Sequence, residues 1–135
     1  MLASLKISRF TSLCGAAVKR ILKLRQADVG TIELDLTDYI GEGRNLTRVE
    51  AIRVEDVDFQ DAASVVLLFP VPTGTFGANA AGNLGLARLG FEGANAKSGR
   101  TYLVTVAIDH DNPIDPDPVQ TEVTFFIMVL GVSDI

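Results

Sequence analysis

The sequence predicts an all-β domain, an antiparallel sandwich, preceded by an extended basic arm. Three observations carry that expectation. Six or seven short runs show the two-residue alternation or the β-branched content of strands, with turn residues between them. Helical periodicity is scarce. Positive charge also gathers at one end: residues 1–27 contain Lys6, Arg9, Lys19, Arg20, Lys23 and Arg25 and no acid, a charge of +6, whereas residues 28–135 sum to −11. The chain therefore divides into a basic arm, residues 1–27, and a β-sandwich domain, residues 28–135.

In chain order, the arm has two patterns. Leu13, Ala16, Ala17, Arg20, Ile21 and Leu24 would line one face of a short helix, which Gly15 weakens. Leu22 and Leu24 also alternate with Lys23 and Arg25 as an edge strand would, so the arm is expected to be extended and to run into a strand. Thr31–Thr37 alternates cleanly, with Ile32, Leu34 and Leu36 on one face and Glu33, Asp35 and Thr37 on the other. A two-glycine turn over Asp38–Gly43 follows. Leu46–Val54 reads as the next strand, with Val49, Ile52 and Val54 in the core, and Asp56, Asp58 and Asp61 stud the loop beyond.

Ser64–Pro72 is a nearly continuous apolar run, as in a strand covered on both faces, and Pro70 and Pro72 end it. Between Thr73 and Gly99 the composition turns to Gly, Ala and Asn, which predicts a long loop around a weak strand, Leu84–Phe91. The clearest pattern comes last. Tyr102, Val104, Val106 and Ile108 share one face of a strand, and Val123, Phe125, Ile127 and Val129 share one face of another. An acidic, proline-rich tip joins them into a hairpin.

Composition narrows the function. A chain of 135 residues, 47% hydrophobic and 21% charged, is expected to fold as a globular body rather than remain disordered. One cysteine, Cys14, forbids an internal disulfide, and with a single histidine no His/Cys metal cluster can form within one chain. Phe10–Val18 is too short and too polar for the apolar core of a signal peptide, and no window reaches the length of a membrane span. The chain is expected to be soluble, made in the cytosol, and free of membrane contact.

Few motifs carry chemistry. Asp109, Asp111, Asp115 and Asp117 concentrate oxygen ligands of the kind calcium takes. In the EF-hand register begun at Asp109, however, the fifth position is Pro113 and the sixth Ile114, so these four are weak calcium candidates on a solvated hairpin tip. Gly77 to Leu84 has the glycine spacing of a phosphate loop without its Lys and Ser/Thr. Asn45-Leu46-Thr47 matches the glycosylation tripeptide, a pattern common by chance. Cys14 and His110 are the only pair available for thiol chemistry, and nothing in the sequence orients them. No catalytic residue, cofactor or metal is expected, and the chain does not read as an enzyme.

The basic arm is the feature with a live functional meaning. Phosphate contacts by its cations would be nonspecific and salt-sensitive. Only Phe10 is available to stack on bases, and the body is acidic, so docking on the acidic surface of a second copy is favoured over nucleic acid.

Gly99-Arg100-Thr101-Tyr102-Leu103-Val104-Thr105-Val106 resembles the penultimate strand of immunoglobulin-like and fibronectin-like modules. The likeness implies that Tyr102 braces a corner, its ring in the core and its hydroxyl bonded to upstream backbone. With no paired cysteines and no tryptophan, it extends only to the wider sandwich group. Over residues 30–130 the chain is also similar to small tailed-phage virion proteins of the fibre–tail adaptor and neck type. The matching stretches are Glu33 to Ile40, the Gly-rich middle, Gly99 to Val106, and Thr121 to Val129. Residues 1–27 have no counterpart there.

That resemblance implies a non-enzymatic, oligomeric virion protein that contacts itself and other virion proteins. A capsid decoration or head-fibre protein of the same fold is one alternative. A calcium-dependent adhesion or carbohydrate-binding module is another. The arm would clamp a neighbour, so deletion of residues 2–25 is expected to leave a folded monomer that no longer assembles.

Overall fold

A computed structural model of the chain describes residues 2–7, 20–41, 43–57, 68–70, 75–111 and 119–130. Among these, the strands are β1 (Ala3–Lys6), β2 (Ile21–Arg25), β3 (Val29–Asp35), β4 (Leu46–Asp56), β5 (Leu68–Pro70), β6 (Phe76–Gly77), β7 (Leu86–Glu92), β8 (Thr101–His110) and β9 (Val119–Leu130). One helical turn, α1 (Thr37–Ile40), and one 3₁₀ turn, Gly93–Asn95, complete the set.

The strands form two sheets. The first has the order β1-β3-β7-β5, with β6 also paired to β7; the second has the order β2-β9-β8-β4. Alternation explains why they share one core. Ile32, Leu34, Leu36, Ala87, Leu89 and Phe91 from the first sheet join Tyr102, Val104, Val106, Ile108, Val123, Phe125, Ile127 and Val129 from the second in a single buried cluster. Both faces expected of the final hairpin are inside, and its strands pair over ten consecutive positions from Thr101↔Met128 to His110↔Val119.

The sheets are mixed rather than antiparallel. β1 runs parallel to β3, and β2 runs parallel to β9. Apolar alternation reports which face is buried but not the direction of the neighbouring strand, so the sequence could not distinguish the two.

The described parts of the basic segment are edge strands of the chain's own sheets. Ile7 is fully buried, and Leu22 and Leu24 lie in the same core as the hairpin. Removing residues 2–25 would strip an edge from each sheet and three side chains from the core. The deletion is therefore expected to destabilise the fold itself, which circular dichroism of the truncated chain would check. The helix-face residues Leu13, Ala16 and Ala17 lie outside the described residues.

Other elements shift. The expected turn after β3 opens as a helical turn, with Tyr39 and Ile40 N–H both donating to Leu36 C=O and Ile40 buried. β4 extends to Asp56, which is buried rather than in a loop and pairs in register with Tyr102. Val49 and Ile52 are only partly buried. The weak strand of the Gly/Ala/Asn region is β7, a central strand paired to β3 at seven positions. Its core-facing Ala87, Leu89 and Phe91 account for that placement. Asp58, Asp61 and Val65–Leu67 lie outside the described residues.

Candidate functional site

At the end of β3 a cleft of about 420 Å³ opens between Lys6, Asp35, Thr37, Asp38 and Gly43 on one side and the Asn79–Asn83 loop on the other. Its size suits a small molecule. Its polar groups, however, are committed to the chain itself. Asp35 Oδ1 accepts from Thr37 N–H at 3.1 Å and from Thr37 Oγ1 at 2.7 Å. Asn79 Nδ2 donates to Thr37 Oγ1 at 3.1 Å, and Asn79 Oδ1 accepts from the N–H groups of Ala81 and Asn83, each at 3.0 Å. Lys6 and Asp38 form an exposed ion pair at 3.3 Å.

Gly85 lets the loop come this close. A Cβ there would lie 2.6 Å from Thr37 Oγ1 and 2.8 Å from Asn79 Nδ2. The Gly/Ala/Asn stretch is thus pinned by two asparagines: Asn45 Oδ1 also accepts from Leu84 N–H at 2.8 Å.

Asn45 continues the network to the far end of β8. Asp111 accepts from Asn45 N–H at 2.9 Å and from Asn45 Nδ2 at 3.0 Å. These two donors, first the backbone one and then the amide, hold its carboxyl below the ordinary value of 3.8. Asp109, on the outward side of β8, bonds to a different partner. There its hydrogen bond with Glu50 raises the Glu50 pKa above 4.5, aided by partial desolvation and opposed by Arg48, whose Nε lies 3.2 Å away. His110 between them is buried, with Nδ1 2.8 Å from Asp111 C=O. A carbonyl only accepts, so Nδ1 carries the proton.

Of the calcium candidates, Asp109 and Asp111 engage different partners, Glu50 and Asn45, and Asp115 and Asp117 lie outside the described residues. Among the described residues, no three His, Cys, Asp or Glu side chains are grouped to hold a metal, and no helix is long and apolar enough to cross a membrane. Cys14, the thiol candidate, also lies outside them.

The arm cations separate. Arg20 is buried; its Nη1 reaches Thr124 C=O at 3.4 Å and its guanidinium carbon sits 5.9 Å from the centre of the Tyr39 ring, within cation–π range. Tyr39 in turn donates its hydroxyl proton to Glu122 C=O at 2.9 Å. Lys6 is tied to Asp38, whereas Lys23 and Arg25 are exposed on β2. Arg9 and Lys19 lie outside the described residues.

At the opposite end of the sheets, Tyr102 is buried and its hydroxyl accepts from Lys97 N–H at 3.1 Å. Close by, Gln26 Nε2 donates to Ala96 C=O at 2.8 Å.

Sequence reasoning passed over Asn45 and Asn79. Asn79 was legible in principle, since an asparagine in a glycine-rich stretch readily accepts from backbone N–H groups two residues on, whereas the partners of Asn45, Leu84 and Asp111, are remote in sequence. No family model, curated protein or solved structure matches the chain.

Proposed function

We propose that the chain is a non-enzymatic structural protein of a tailed-phage virion, an immunoglobulin-like sandwich that assembles as a homo-oligomer in the neck or tail-adaptor region. The observation that carries this reading is the use made of the polar side chains. Asp35, Thr37, Asn45, Asn79, Asp111 and Tyr102 each bond to backbone groups or to one another, fixing loops at both ends of the sheets. Side chains spent in this way make a rigid building block.

The immunoglobulin-like assignment is supported by the two strand orders, which place β3 beside β7 in one sheet and β4, β8 and β9 side by side in the other. The buried Tyr102 with its hydroxyl on upstream backbone supports it further. The parallel β1–β3 pair is a departure from that pattern.

Quantitative mass spectrometry of purified phage particles tests the proposal. The chain is expected in the particle at a fixed copy number, with antibody label at the head–tail junction. Label spread over the capsid surface would favour the decoration reading. Recovery solely from particle-free lysate would overturn a virion role.

A further inference from the structure

The outer faces of the two sheets differ in kind. On the first, the centre is polar, with Ser4, Glu33 and Arg88 aligned across three strands and Arg88 Nε paired with Glu33 at 3.2 Å, and the apolar Val29 and Leu86 stand apart at opposite ends of the β3–β7 pair. The second sheet is different. Ile21, Phe126 and Leu103 align across β2, β9 and β8, all on the side away from the core, and Met128 and Leu130 continue that side of β9. The core-facing positions beside them are Leu22, Ile127 and Tyr102.

These five side chains are half-buried on a face that no described strand covers. With strands about 4.8 Å apart and same-face residues about 6.7 Å apart, they span on the order of 300 Å². A contiguous apolar patch of that size falls in the range of a protein's largest surface patch, which is often functional.

Charge identifies the occupant. Around the patch stand four cations, Lys23, Arg25, Arg48 and Arg53. Four acids balance them: Glu50, Glu55, Asp109 and Glu122. The face is neutral on a chain of net charge −5, so the excess negative charge lies elsewhere. Two acidic copies repel through those other surfaces, but here a copy meets an apolar centre and a rim of both signs. Nucleic acid or a strongly charged protein would find no net field.

We propose that the outer face of the β2-β9-β8-β4 sheet is the contact between two copies of this chain, packed face to face about a two-fold axis that runs along the strands between β8 and β9. That axis lays Phe126 against Leu103 of the second copy. It also carries β2 over the second copy's β4, with Ile21 level with Glu55 and Lys23 one outward position further along, within reach of that carboxylate. The contact rests on the self-assembly part of the proposed function but names its surface, and it stands or falls independently of particle association.

Sedimentation of the full-length chain from about 1 to about 100 μM tests the contact. The wild type is expected to dimerise within that range. Phe126→Ser is expected to remain monomeric with an unchanged circular dichroism spectrum, because Phe126 does not face the core. Lys23→Glu, an exposed substitution, is expected to weaken the dimer roughly tenfold, and adding Glu55→Lys is expected to restore it. A wild type that is monomeric throughout would overturn the proposal. So would a Phe126→Ser protein that dimerises like the wild type, or a Lys23→Glu/Glu55→Lys pair no tighter than Lys23→Glu alone.

Discussion

The two sheets reach order by different means. In the second, β8 and β9 pair over ten positions and β4 joins along most of β8, so long ladders and a continuous apolar face do the holding. In the first, one edge of β7 is shared by two short pieces, β5 on Leu89–Phe91 and β6 on Leu86–Ala87. Its margin depends on side chains that reach across to loop backbone, Asn79 and Asn45 chief among them. A long ladder is cooperative, whereas a set of clamps can fail one at a time.

The largest expected effect attacks the ladder sheet through its core. Phe125 is fully buried and lies across from Val104. Phe125→Ala is expected to cost about 4 kcal/mol, because both burial and the packing around the vacated volume are lost. Thr124→Ala, next door on the outer face, should stay within about 0.5 kcal/mol. Urea denaturation measures both, and comparable losses would break the assignment of faces.

A smaller effect separates the clamp from the ladder. Asn79→Ala removes two acceptor contacts to backbone N–H and one donor contact to Thr37. Each is worth about 1 kcal/mol net, and water replaces part of the set, so roughly 2 kcal/mol is expected. Hydrogen exchange should quicken at Ala81 and Asn83 while the β8–β9 amides keep their protection. Uniform loss of protection would mean that the two sheets do not differ in this way.

The same contrast explains what the sequence disclosed. Alternation names the inner face of a strand directly, so Ile32, Leu34, Leu36 and both halves of the hairpin were legible. Strand direction leaves no such trace, and the parallel places of β1 and β2 were missed. β7 was undervalued because Gly85 and Gly90 dilute its pattern, although Ala87, Leu89 and Phe91 sit at the centre of the core. The cations of residues 1–27 looked like one arm because charge is counted along the chain. In space Arg20 turns inward, Lys6 meets Asp38, and Lys23 and Arg25 stay exposed on the outward side of β2. The apolar outer side of β9 was hidden for a related reason: Phe126 and Met128 fall between core residues, and the run Phe125–Leu130 reads as uniformly buried.

The smallest effect is a pH dependence in which two carboxyl groups, Glu50 and Asp111, pull in opposite senses. Glu50, on the outer rim of the ladder sheet, has a raised pKa because it shares a hydrogen bond with Asp109. Its ionised form is disfavoured by folding, so stability rises as pH falls through that raised value, above 4.5. Asp111, in the clamp on Asn45, has a lowered pKa. Its contribution is fully present above 3.8 and is lost as pH falls through the lower folded value. Acidification from neutrality should therefore give a slight gain in melting temperature followed by a loss. Glu50→Gln should remove the gain and keep the loss, whereas Asp111→Asn should flatten the loss below pH 4 and lower stability at neutral pH. A melting profile that Asp111→Asn leaves unchanged on the acid side would show that the Asn45 clasp does not hold this carboxylate in its charged form.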